Sequence, residues 1–124
     1  MRIENTKAQM RKGILELCVL SIIAEEEVYP SDILNKLKEA KLIVVEGTLY
    51  PLLSRLKNAH LLSYEWKEST SGPPRKYYSL TNEGSEFLEG LTETWNDLNN
   101  AVTKTTSKPK ARKTRKSTTK TTSE

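Results

Sequence analysis

The sequence is poor in the residues that carry crosslinking, metal binding and catalysis. It holds one cysteine, Cys18, so no disulfide can form within the chain. With one histidine, His60, beside that single cysteine, it cannot assemble the three or four protein ligands of a usual metal site. The five glycines form neither a GxGxxG nor a P-loop, and no nucleophile arrangement containing histidine is present. The carboxylates of the last predicted helix lie on its solvent side and read as a charged face, not a catalytic pair. No enzyme, metal or cofactor is therefore expected. No apolar run reaches the roughly 18 to 20 residues that span a bilayer, and the N-terminus lacks a signal-peptide pattern. A reducing cytoplasm and no membrane partner are expected. Cys18 sits in an apolar helical run, where a buried, inert thiol is the expected state.

What is present is unevenly charged. Residues 1–103 carry 12 Lys/Arg and 15 Asp/Glu, a net of −3, while residues 104–124 carry 8 Lys/Arg and one Glu, a net of +7. The basic character of the whole chain therefore belongs to its tail. That Lys/Thr/Ser-rich stretch has no large apolar residue and cannot offset its ordering entropy, so it is predicted to be disordered. Residues 1–103 are predicted to form one domain of ordinary size.

Along that domain, a helix is predicted from about Lys7 to Glu26. Its apolar residues, from Met10 through Leu15, Leu17, Cys18, Leu20 and Ile23, cover nearly the whole circumference. Such a helix is buried on more than one side, which in a small domain implies a partner copy. Ser31 is the predicted N-cap of a second, short helix carrying Ile33, Leu34, Leu37 and Ala40. Val44 and Val45 read as extended.

A third helix is predicted to open near Glu46, since Pro51 is tolerated only close to a helix start. At 100° per residue, Leu49, Leu52, Leu53, Leu56 and Ala59 cluster on one side. Gly47, Pro51, Ser54 and Asn58 lie opposite, with Thr48, Tyr50, Arg55 and Lys57 on the flanks. The outward face is small, which lets a helix approach base edges closely. Leu62–Glu68 then alternates as a half-buried strand, Ser69–Pro74 reads as a turn, and Arg75–Leu80 is the return strand. Thr81 is placed to cap a last helix over about residues 82–102. Its Leu88, Leu91, Trp95, Leu98 and Val102 recur in steps of three and four, a heptad-type seam, with Phe87 expected to dock on the domain's own core. The pattern predicts a mainly α fold with a small β-hairpin: a winged helix-turn-helix with a C-terminal dimerisation helix.

Three segments resemble the PadR family of transcriptional regulators: Lys12–Ser21, Glu46–Leu53 and Gly72–Thr81. Their order and content place the resemblance over roughly Lys7 to Val102, and the single last helix is similar to that of the short subfamily. The resemblance implies a winged-helix dimer that binds a pseudo-palindromic operator, usually as a repressor. It implies that Thr48-Leu49-Tyr50 opens the recognition helix and that Arg75-Lys76 lies in the wing. In some short members of the family a flat aromatic effector stacks on a tryptophan between the paired last helices, and the resemblance puts Trp95 at the matching place. One departure stands out: family members often have glycine after the tyrosine that opens the second helix, and here Pro30 follows Tyr29.

The expected contacts to double-stranded DNA are Thr48, Tyr50, Ser54, Arg55, Lys57, Arg75 and Lys76, with Lys12 near the first helix as a further candidate. Tyr50 is expected on phosphate, the commoner class of contact. The expected homodimer interface is Leu88, Leu91, Trp95, Leu98 and Val102. The rival reading is an interaction or ligand-sensing module on a winged-helix scaffold, with the basic tail alone holding DNA without sequence choice.

Overall fold

The computed structural model describes residues 1–70 and 72–107. Five helices and one hairpin follow in the order α1 (Ile3–Arg11), α2 (Ile14–Glu25), α3 (Pro30–Glu39), α4 (Glu46–Asn58), β1 (Leu62–Ser69), β2 (Gly72–Leu80) and α5 (Asn82–Thr105). The chain divides within α5 into two units, residues 1–92 and, among the described residues, 93–107.

The first unit has one apolar core. Val19, Leu20 and Ile23 of α2, Ile33 and Leu37 of α3, Leu49, Leu52, Leu53 and Leu56 of α4, and Leu62 and Tyr78 of the hairpin are all buried in it. Leu88 and Leu91 of α5 pack half-buried against the same core. The single predicted first helix is in fact two. Gly13, at φ +90°, breaks the chain between α1 and α2, a conformation that side chains other than glycine's rarely adopt.

The second helix starts earlier than Ser31. Pro30, whose fixed φ suits the first helical position, makes Tyr29 the N-cap, and the Tyr29 N–H donates to the Asp32 carboxylate at 3.2 Å. The proline that replaces a family glycine is thus compatible with the helix it opens. Helices α3 and α4 end alike. After each, the N–H of an apolar residue donates back five positions, Leu42 to the Leu37 carbonyl at 2.8 Å and Leu61 to the Leu56 carbonyl at 3.0 Å. This geometry puts the intervening Lys41 and His60 at φ +70° and +66°, the left-handed cap usually filled by glycine. His60 therefore ends a helix. Ala59, expected on the apolar face of α4, is its exposed C-cap.

β1 and β2 pair antiparallel with Tyr64 opposite Tyr78. The return strand begins at Gly72, before the predicted Arg75, and Pro73 and Pro74 sit where the register shifts, between Lys67 and Ser69 on the opposite strand. Prolines cannot donate to the ladder and fit at such an irregularity. Val28 bridges to Tyr78 through two backbone hydrogen bonds and anchors the hairpin beside α3.

Thr81 links hairpin and last helix. Its hydroxyl donates to the His60 carbonyl at 2.7 Å and accepts the Gly84 N–H at 2.9 Å. Gly84 is buried so tightly against the Leu61 carbonyl that no Cβ fits. Phe87 does not dock on the core as expected and is 41% exposed; the stripe of Gly84, Leu88 and Leu91 takes that place. In the second unit Trp95, Leu98 and Val102 are 41%, 55% and 55% exposed. Helix α5 runs past the predicted end of the domain to Thr105, with Lys104 favourably placed in its last turn. Most of the predicted disordered tail, residues 108–124, lies outside the described residues.

Candidate nucleic-acid interface

The physical logic of α4 is a buried leucine ridge opposite an uncharged polar one. The four leucines hold the helix on the core, and Gly47, Pro51, Ser54 and Asn58 are exposed on the far side. Pro51 is the sixth residue of α4. It removes one intrahelical donor, whose acceptor would be the Gly47 carbonyl.

The two flanks of α4 have different neighbours. Tyr50, Ser54 and Lys57 recur at steps of four and three and share one side. There the Lys57 ammonium sits 5.6 Å from the centre of the Tyr64 ring on β1, and the Lys76 ammonium of β2 sits 4.4 Å from the same ring. Lys76 also lies 5.3 Å from the Trp66 ring. Tyr64 and Trp66 meet edge to face at 6.1 Å. An aromatic ring attracts a cation to its face, so Tyr64 gathers a helix lysine and a wing lysine into one positive patch.

Thr48 and Arg55 occupy the other flank. The Arg55 guanidinium is held by the Glu16 carboxylate of α2 at 2.9 Å, while Thr48 and Lys12 line a groove beside it. The predicted contact set is therefore divided: Tyr50, Ser54 and Lys57 stand with the wing, and Thr48, Arg55 and Lys12 stand with α1 and α2.

The wing is divided as well. Neighbouring strand residues point to opposite faces, which separates Arg75 from Lys76. Arg75 stacks over Tyr29 at 4.9 Å, on the face where Lys67 sits 4.5 Å from the Tyr77 ring and bonds Glu27 at 2.9 Å. Tyr29 and Tyr77 themselves lie 3.9 Å apart. The predicted Arg75-Lys76 pair is thus not one clamp. The hydrogen bond to Glu27 raises the pKa of Lys67, and the hydrogen bond with Tyr29 raises that of Tyr77. Sequence reasoning missed Tyr64 as the residue shared by both lysines. Its place in an alternating strand was visible, but its ring's position between helix and wing was not.

Among the described residues no cluster of His, Cys, Asp or Glu could hold a metal ion, and no helix is long and apolar enough to cross a membrane. Residues 19–90 match the transcriptional regulator PadR-like family. The chain belongs to that family. A PadR-like transcription factor from Bacteroides fragilis is 61% identical, over 82% of this chain and 98% of that one, with a TM-score of 0.69. A PadR-like regulator from Bacillus cereus is 39% identical, over 82% and 99% of the two chains, with a TM-score of 0.73. The PadR of Bacillus subtilis, solved in complex with operator DNA, is 21% identical over 64% of this chain and 45% of that one; at a TM-score of 0.59 it shares the fold. PadR-like proteins are transcriptional regulators rather than enzymes, and this chain is a DNA-binding regulator with their winged-helix fold.

Proposed function

We propose that this PadR-like protein is a cytoplasmic repressor that binds a pseudo-palindromic operator as a homodimer. The observation that carries the reading is the patch in which Lys57 of α4 and Lys76 of the wing share the Tyr64 ring, beside the uncharged ridge of Gly47, Pro51 and Ser54. The ridge enters the major groove, and the two lysines take phosphates on its flank. Tyr50 takes a phosphate as well. Thr48 meets the duplex near the start of α4. Arg55, Lys12 and Arg75 make outer contacts, Arg55 after exchanging Glu16 for phosphate.

The dimer forms through α5, whose exposed Trp95, Leu98 and Val102 continue the seam begun by Leu88 and Leu91. The last two already pack half-buried on the core, so the contacts between copies fall chiefly on the first three. Two copies would read half-sites about 10 to 10.5 base pairs apart, or a multiple of that. Trp95 is the platform on which a flat aromatic effector would stack. Residues 104–124 add non-specific phosphate contacts; about four of them would steepen the log–log salt slope by roughly 3 to 4.

The test is fluorescence anisotropy at physiological salt with DNA from upstream of the protein's own gene and with random DNA. Preference for the upstream DNA, retained when residues 108–124 are removed, supports the reading. Lys57→Ala with Lys76→Ala should weaken both DNAs and lower the salt slope by about 2. A ratio near one between the two DNAs in the shortened chain favours the interaction module instead.

A further inference from the structure

The groove beside the other flank of α4 has a composition of its own. It lies wholly within the first unit as an open groove bordered by the α1–α2 junction, the extended segment before α4 and the first turns of α4, with a volume of about 660 Å³. That lies inside the range of roughly 300–1,000 Å³ usual for small-molecule sites. Its wall is aliphatic: Leu15, Leu42 and Val44 are half-buried and Leu52 is buried, and no aromatic side chain lines it.

Three cations border this wall: Arg11, Lys12 and Arg55. The one acid there, Glu16, is already engaged by Arg55 at 2.9 Å. Among the described residues, neither Arg11 nor Lys12 forms an ion pair. The groove thus combines an apolar wall, lacking any aromatic ring for stacking, with two uncompensated positive charges. A ligand matching both must carry a flexible hydrocarbon body and an anionic head.

We propose that the groove is a binding site for an aliphatic carboxylate of medium chain length. Its hydrocarbon lies along Leu15, Val44 and Leu52, and its carboxylate is held by Arg11 and Lys12, with Arg55 in reach once it turns from Glu16. Charged hydrogen bonds of this kind are the strong ones. Trp95 is not among the residues that line the groove, and the ligand class differs from the flat aromatic effector proposed for it. Because Thr48 and Arg55 belong to both the groove and α4, an occupied groove neutralises cations beside the recognition helix and lowers operator affinity. That consequence rests on the DNA-binding reading above; the ligand site does not.

The direct test is calorimetry of the full chain with sodium decanoate, kept below the concentration at which it forms micelles. Decanol serves as the uncharged control and decyltrimethylammonium as the cationic one. Saturable binding of one decanoate per chain is expected, at least about tenfold tighter than either control. Arg11→Ala with Lys12→Ala, both exposed positions, should weaken it by about tenfold or more. Val45→Asp keeps a good N-cap for α4 and adds a negative charge at the groove rim, so it should weaken decanoate but not decanol. No saturable binding, or binding indifferent to the head group and to both variants, overturns the site. Sedimentation velocity adds an independent check: if the Arg11/Lys12 variant changes the oligomeric state, a second copy fills the groove and the proposal falls. Anisotropy separates the two readings. Decanoate binding to a chain without operator preference would sink the DNA-binding reading alone, whereas operator binding by a chain that ignores decanoate would sink the site alone.

Discussion

Helices α2 and α5 carry similar numbers of large apolar residues, seven and six, the first within 12 positions and the second spread over 24, and they use them in different ways. α2 has apolar residues around nearly its whole circumference and buries Val19, Leu20 and Ile23 in the core. α5 has twice as many residues, 24 against 12, and buries only Gly84. Its narrow seam is half-buried at Leu88 and Leu91 and exposed at Trp95, Leu98 and Val102. The number of apolar residues does not separate them; their angular spread does. An all-round distribution is satisfied only by neighbours on several sides, whereas a stripe every three to four residues is satisfied by one partner.

The sharpest way to break this contrast is to truncate one leucine in each helix. Leu20→Ala should cost about 2–5 kcal/mol in urea unfolding, because a fully buried side chain leaves a cavity. Leu98→Ala should change the unfolding of the isolated chain by less than about 0.5 kcal/mol, while weakening self-association in sedimentation equilibrium. Equal losses of fold stability would erase the distinction. Next in size, Gly84→Ala should cost about 1–3 kcal/mol through overpacking against the Leu61 carbonyl, although alanine favours helices elsewhere. A neutral effect in thermal melts would mean that α5 can shift away from the loop before β1.

Smaller and of opposite sign is the change at the end of α4. His60→Gly should stabilise the chain by about 1 kcal/mol, since a left-handed residue with a side chain is strained by roughly that amount; a lower melting temperature would contradict the cap geometry. Smallest is a pH effect. Burial raises the pKa of the Tyr78 hydroxyl above its ordinary value of 10.0. Above about pH 10 the unfolded chain ionises first, so stability is full below that pH and declines above it. Tyr78→Phe should flatten that alkaline decline in denaturant titrations, and an unaltered slope would assign it to other tyrosines. Cys18, expected to be buried, is only half-buried, and that partial burial raises its thiol pKa above the ordinary value.

Much of the fold was legible because periodicity reports burial. The leucine ridge of α4 and the cap at Thr81 follow from local pattern, whereas the half-buried alternation predicted over Leu62–Glu68 holds only as far as Tyr64, since Trp66 is 61% exposed. Errors arose where a local rule had competitors. Gly13 fell inside the one helix predicted from Lys7 to Glu26 and is a break between two. Ser31 has the chemistry of a cap, but Pro30 claimed the first turn. Phe87 has the size for the core, but the stripe through Gly84 has the angle. For the candidate interface, residue types were readable and neighbours were not. Arg75 and Lys76 are adjacent in sequence yet lie on opposite faces, and Arg55 is held by an acid 39 positions away.

The amino-acid sequence alone determined the winged-helix plan, the uncharged outer ridge of α4 and the seam of α5, because spacing along a helix or strand fixes which side chains share a face. Only the tertiary structure decided that Lys57 and Lys76 converge on Tyr64, that Glu16 restrains Arg55, and that a cationic, aliphatic groove opens beside Thr48. Those relations join residues distant in the chain, and their distances are set by how the helices and hairpin pack on the common core.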